Sequence, residues 1–243
     1  MYCLDIQHLC LQFDRKPLFV DLHFRVEQGE WVVLLGRSGV GKSTLLRAIS
    51  GLEQTAITQG HIQFAPHIKA AWLAQQDSLF PWLSVLDNVQ LAQHLSGQKN
   101  AKTQAKAKEL LHAVGMEDHW HKPCYQLSGG QRQRVALART LMQDADLILM
   151  DEPFSALDAV TRLQLQNLAC ELLKEKTVIL VTHDPQEAIR LGEKIYVLQG
   201  QPVQIKQVAQ LNPIKPHQLH LEALWALQNR LTQIGRASCR ERV

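Results

Sequence analysis

The chain has 243 residues, 46% of them hydrophobic and 20% charged, with 26 Lys and Arg against 23 Asp and Glu for a formal net charge of +3. That balance belongs to an ordinary globular chain and excludes a disordered, collagen-like or disulfide-dense one. Apolar runs reach only about five residues, as in Trp31 to Leu35, against the roughly 18 needed to cross a bilayer, and no basic-then-apolar leader opens the chain, so a soluble intracellular protein is expected.

Leu4 to Phe13 and Leu18 to Val26 read as strands, with a turn at Gly29-Glu30. Trp31 to Leu35 is continuously apolar, as a strand buried on both faces should be. It runs into a glycine-rich turn and then a helical pattern from near Lys42, the opening of an α/β unit. From about Leu79 to Thr140 the composition is helical, rich in Ala, Lys, Leu and Gln between Asn88 and Val114. Strand character returns at Leu147 to Met150, Thr177 to Thr182 and Lys194 to Leu198, separated by helical segments at Val160 to Lys174 and Gln186 to Leu191. The alternation predicts a parallel sheet interrupted by an inserted helical subdomain at about 79–140.

After Gly200 the pattern weakens into a polar linker containing Pro202, Pro213 and Pro216. Residues 201–233 read as a C-terminal extension. Leu221, Leu224, Trp225, Gln228 and Leu231 there have the spacing of a short amphipathic helix that docks on the body; a membrane-surface helix would want more Lys and Arg. The last ten residues, Ile234 to Val243 (IGRASCRERV), resemble a translated sequencing-library adaptor, and a non-native tail is expected there. They carry +2 of the net charge, so the rest makes no electrostatic case for a nucleic-acid partner. The five cysteines, Cys3, Cys10, Cys124, Cys170 and Cys239, are scattered without a CxxC pair, which suits reduced thiols.

Three strings carry chemistry. Gly36-Arg37-Ser38-Gly39-Val40-Gly41-Lys42-Ser43-Thr44 fits GxxxxGK[ST] between a strand and a helix. Such a loop turns its N–H groups around phosphates at a helix N-terminus. Lys42 then reaches the β and γ phosphates of a nucleoside triphosphate, and Ser43 ligates Mg²⁺. Leu147 to Glu152 is an apolar strand ending in two carboxylates, where ligands sit in parallel sheets. Asp151 is the expected Mg²⁺ partner and Glu152 the general base for water. Leu127-Ser128-Gly129-Gly130-Gln131 opens a helical run and forms a second anion-binding helix end. Two phosphate-ready helix ends with one lysine loop suggest that two copies of the chain share each triphosphate.

LSGGQ between a phosphate loop and LILMDEP resembles the ATP-binding cassette ATPases over about residues 1–200. The resemblance implies an α/β fold: a P-loop NTPase core with a mainly parallel sheet, an N-terminal antiparallel β part and an inserted α-helical subdomain. It implies a head-to-tail dimer closing on two ATP molecules, each between one copy's Lys42 loop and the other's Ser128 to Gln131. By motif, Phe13 is similar to the aromatic that stacks on adenine, Asp158 to the loop crossing the dimer interface, and His183 to the switch histidine at the γ-phosphate. Gln75, six residues before Pro81, matches the loop glutamine near Mg²⁺ and the attacking water, though Gln76 stands beside it. Arg37 replaces a frequent proline at a position the motif leaves free.

His119-Trp120-His121 with Cys124 has the look of a metal cluster but lacks the four well-spaced ligands of a zinc site. Lys99, Lys102, Lys106 and Lys108 read as a solvated helix face. The segment Leu79 to Val89 (LFPWLSVLDNV) offers Leu79, Phe80, Trp82 and Leu83 as a partly exposed apolar cluster of the kind that marks partner surfaces. In the resembled family this region, near Gln75 to Val89, receives a helix of the membrane-spanning permease. The string is similar to ATPase subunits of nitrate, sulfonate, taurine and thiamine-precursor importers, which implies a separate solute-binding protein and work on the cytoplasmic face of the cell membrane. A soluble cassette ATPase of translation or DNA repair is the alternative, and a P-loop small-molecule kinase would need neither LSGGQ nor His183.

Overall fold

The computed structural model describes residues 1–217; the amphipathic segment at 221–231 and the tail at 234–243 lie outside the described residues. Two sheets form. β1 (Tyr2–Phe13), β2 (Lys16–Glu27) and β4 (Ile57–Phe64) make an antiparallel sheet in the order β2-β1-β4. β3 (Trp31–Leu35), β5 (Ala70–Leu73), β6 (Leu147–Asp151), β7 (Thr177–Thr182), β8 (Lys194–Gln199) and β9 (Gln204–Gln210) make a six-stranded sheet in the order β5-β6-β7-β3-β8-β9. All its pairings are parallel except that of β8 with β9.

The central strands separate two cores because side chains alternate across a strand. Trp31, Val33, Leu35, Ile148, Met150, Val178 and Leu180 face one core. Val32, Leu34, Leu147, Leu149, Ile179 and Val181 face the other. The second core is closed by α1 (Lys42–Ile49), through Leu45, Leu46, Ala48 and Ile49, and by the antiparallel sheet. The first is closed by α2 (Val85–Val89), α4 (Ala101–Ala113) and α5 (Gly129–Leu141) of the helical region, with α6 (Ala159–Leu172) and α7 (Pro185–Leu191), while α3 (Leu91–Leu95) buries none of its residues. Having apolar neighbours on both faces is why these strands read as unbroken apolar runs.

One expectation is corrected. The stretch after Gly200 is no polar linker throughout: β9 pairs with β8 from Lys194↔Gln210 to Gln199↔Gln204, so the sheet continues past residue 200. Its sequence, QIKQVAQ, hides the strand because an edge strand buries little of its surface. Its stability comes from backbone pairing along one side rather than from apolar content. The long helical run between Asn88 and Val114 is divided into short helices, with Gly97 (φ +70°) between α3 and α4.

Candidate functional site

β3, β6 and β7 are neighbours in parallel register, with Leu35 opposite Thr182 and Asp151 opposite Val181. Their C-terminal ends therefore bring together the 36–44 loop, Asp151-Glu152 and His183. This is the sheet edge where α/β proteins hold ligands.

Gly41 caps α1 in the left-handed region at φ +108°, which a side chain would resist, and aims the first turn of α1 into the loop. Lys42 is 3% exposed. Its Nζ donates to the carbonyls of Gly36 (2.8 Å) and Arg37 (2.9 Å) and lies 3.6 Å from Glu152 Oε1. Burial pushes the Lys42 amine down, while Glu152 and Asp151 hold it up. Ser43 Oγ donates to Asp151 Oδ1 at 2.7 Å. The Asp151 carboxyl is pushed up, chiefly by burial, with Glu152 adding to the rise and Ser43 opposing it. A desolvated carboxylate against a hydroxyl is a hard-oxygen donor pair that fits Mg²⁺.

Glu152 has φ +46°, a left-handed backbone that costs a non-glycine residue about 1–3 kcal/mol. The surroundings hold it there: its N–H donates to Val181 O (2.9 Å) and its carbonyl accepts from Ser155 Oγ (2.9 Å). The twist points the carboxylate at Lys42 on one side and at His183 Nδ1, 2.9 Å away, on the other. Of the two glutamines, Gln75 directs its amide at Ser155 Oγ, at a long 3.5 Å, beside Glu152. Gln76 contributes its carbonyl to Ser78 Oγ.

Ser128 to Gln131 begin α5 as a reciprocal capping box. Ser128 Oγ accepts from Gln131 N at 3.2 Å, and Gln131 Oε1 accepts from Ser128 N at 2.9 Å. Asp158 caps α6, its Oδ1 accepting from Val160 N and Thr161 N, and those backbone bonds hold its carboxyl low. Phe13 ends β1 at a hairpin whose two turn residues, Asp14 and Arg15, have φ +48° and +63°. That primed turn suits a two-residue hairpin and leaves the ring 41% exposed.

Several participants escaped the sequence reading. α5 is tied to the segment after β5 by a ladder of polar side chains. Arg132 Nε donates to Asp77 Oδ2 (2.8 Å), Gln133 Nε2 to Gln75 O (3.0 Å), and Arg139 to the carbonyls of Asp77 (2.6 Å) and Ser78 (2.8 Å). The only signal was polar residues on an otherwise buried helix. The apolar cluster also divides: Leu79 is buried and Leu83 half-buried, whereas Phe80 and Trp82 are 38% and 71% exposed with ring centres 5.3 Å apart. The His119–Cys124 run makes no ligand cluster. His119 Nε2 meets Gln131 Nε2 at 3.2 Å, and the buried Cys124 sulfur accepts from Asn88.

Behind His183, Glu187 on α7 is almost wholly buried and accepts from Gln166 Nε2 on α6 at 3.1 Å. Burial pushes its carboxyl up to about 7 from an ordinary 4.5; Asp184 adds to the rise, while bonds from Thr182 and Gln166 and the charge of Arg162 oppose it. The unfolded chain releases this proton first, so between those two pH values the fold holds the extra proton and loses stability as pH rises. Above the window the cost is constant, about 3 kcal/mol. Between pH 5 and pH 8 the wild type should therefore lose about 2–3 kcal/mol more unfolding free energy than Glu187→Gln, measured by chemical denaturation at the two pH values. Equal losses in both proteins would rule out a buried titrating carboxyl here.

The ABC transporter family matches residues 19–155. An uncharacterised ABC transporter ATP-binding protein of Haemophilus influenzae is 56% identical over 231 residues, 94% of this chain and 96% of the relative. The aliphatic sulfonates import ATP-binding protein SsuB 1 of Rhodococcus jostii is 46% identical, covering 82% of this chain and 80% of its own length. The taurine import ATP-binding protein TauB of Pelagibacter ubique is 43% identical over 76% of this chain and 72% of its own. A solved ABC transporter in an inward-facing conformation superposes with a TM-score of 0.76 at 26% identity, over 85% of this chain and 84% of the other.

Proposed function

The chain belongs to the ABC transporter family as an ATP-binding, ATP-hydrolysing subunit, and from that membership we propose that it drives an importer for a small solute of the nitrate, sulfonate, taurine or thiamine-precursor kind. Relatives named for taurine and sulfonate import support the grouping. Two copies close head to tail on two ATP molecules, on the cytoplasmic face of a membrane whose spanning subunits are other chains. Among the described residues no helix is long and apolar enough to cross a membrane.

The observation that carries this reading is the meeting of Lys42, Asp151, Glu152 and His183 at one sheet edge, while the second anion-ready helix end, at Ser128, begins a different element. Lys42 and the loop N–H groups hold the β and γ phosphates, and Phe13 stacks on the base. Bound Mg²⁺, held by Ser43 and Asp151 with Gln75 near, would neutralise charge developing on the phosphate oxygens. Glu152 takes a proton from the water that attacks the γ-phosphorus as the bond to the bridging oxygen breaks. With Nδ1 engaged by Glu152, His183 offers Nε2 to the γ-phosphate. Ser128 to Gln131 of the second copy complete the pocket, and Asp158 lies on the loop between copies.

The exposed Phe80 and Trp82 rings are the surface for a cytoplasmic helix of the permease, a helix-in-groove contact. The ladder from Arg132, Gln133 and Arg139 to residues 75–78 joins that surface to the helix begun by Ser128. Trp82→Ala should leave the ATPase rate of the isolated protein within about twofold, because an exposed side chain away from the site contributes little to the fold, and should weaken co-purification with a co-expressed permease subunit. Undiminished recovery of that complex would refute the docking assignment.

A further inference from the structure

We propose that His8, Asp21 and His23 form a binding site for a divalent transition-metal ion, with Zn²⁺ as the representative, on the outer face of the antiparallel sheet. They are the one group of three potential ligands found close together among the described residues, each offering an atom within 4.8 Å of the others. Asp21 Oδ1 lies 2.7 Å from His8 Nδ1 and 3.3 Å from His23 Nε2, and the two rings meet edge-on with centres 4.3 Å apart. Tetrahedral Zn²⁺ with bonds of about 2.0–2.2 Å wants ligand atoms a little over 3 Å apart, and three protein ligands leave one position for water. Two imidazoles and a carboxylate also favour zinc-class ions over Mg²⁺.

The backbone assembles this trio by two opposed irregularities. β1 and β2 pair Ile6↔Phe24, Leu9↔Leu22 and Leu11↔Phe19. Gln7 and His8 thus stand against the single residue His23, and Val20 and Asp21 against the single residue Cys10. Each strand carries a bulge, and each bulge has a left-handed residue that is a ligand, His8 at φ +52° and Asp21 at φ +53°. In regular pairing strict alternation would send adjacent residues to opposite faces; the bulges let the ligands share the exposed face while Leu9 and Leu22 stay buried. The third strand accommodates this through Gly60, where a Cβ would fall 2.3 Å from His8 O. A bound ion would clamp β1 to β2 in the sheet that carries Phe13 at its hairpin.

The test is calorimetric titration of Zn²⁺ into the metal-stripped full chain without nucleotide, beside His8→Ala/His23→Ala and Asp21→Asn. All three changes are on exposed residues, and folding is checked by circular dichroism. Wild type should bind one Zn²⁺ more than the double variant, with Asp21→Asn weakened at least about tenfold, the scale seen for losing even outer partners of metal ligands. Zn²⁺ should also raise the melting temperature of wild type above that of the double variant. Equal stoichiometry and affinity in all three proteins, or displacement of the extra Zn²⁺ by equimolar Mg²⁺, would overturn the proposal.

Discussion

Glu152→Gln should lower ATP hydrolysis by about 10²–10⁴-fold, the contribution expected of a positioned general base, while ATP binding is kept or tightened. The amide has the shape of the carboxylate and can still face His183 Nδ1 across the 2.9 Å now spanned, so the strained backbone at φ +46° need not move. What changes is charge. Glu152 is one of the anions holding up the proton on a buried Lys42, 3.6 Å away. Removing it leaves the lysine with a stronger call on phosphate oxygens, so a bound triphosphate gains a partner that the carboxylate had shared. The variant should accordingly accumulate as an ATP-dependent dimer, visible as a shift to twice the mass in size-exclusion chromatography with ATP. Turnover within tenfold of wild type would take the base role away from Glu152, and a monomer throughout would argue against closure around ATP.

Ser128→Arg should abolish turnover, by more than about 100-fold, while ATP affinity in the monomer stays within about threefold of wild type. The bulky cation enters the space where the partner's γ-phosphate would rest, and none of the bonds made by Lys42 or Ser43 involves it. The substitution also removes the cap of α5, whose Oγ accepts from Gln131 N, at about 0.5–2 kcal/mol. Ser128→Ala loses the same cap without the bulk and calibrates that contribution: the difference in rate between the two variants measures exclusion from a shared pocket. Wild-type rates should fall more steeply than linearly on dilution. Ser128→Arg activity close to that of Ser128→Ala would mean that each chain hydrolyses ATP by itself.

Much of the candidate site is legible in short strings because its chemistry is local in sequence. A phosphate loop needs its glycines, lysine and serine within nine residues; a strand can deliver Asp151 and Glu152 only as neighbours; a capping box sets Ser128 and Gln131 three apart. The central strands are equally legible, since burial on both faces writes an unbroken apolar run. The polar ladder from Arg132, Gln133 and Arg139 to Asp77 and its neighbours is different. Those residues are some 60 positions apart, and only the packing of α5 beside the end of β5 brings them within 3 Å. The apolar segment was readable as a cluster, yet which rings face outward depends on what covers Leu79 and not Trp82.

Composition and motif spacing alone therefore specify a triphosphate-binding α/β chain, the order of its central strands and helices, and the residue types at the phosphate end. They do so because those features follow from backbone periodicity and from chemistry confined to neighbouring residues. β9, the twin bulges that gather His8, Asp21 and His23, the burial that keeps a proton on Glu187 near neutral pH, and the pairing of Glu152 with both Lys42 and His183 arise otherwise. Each depends on register between strands or on the solvent excluded by distant segments, and a linear pattern carries neither until the chain has folded.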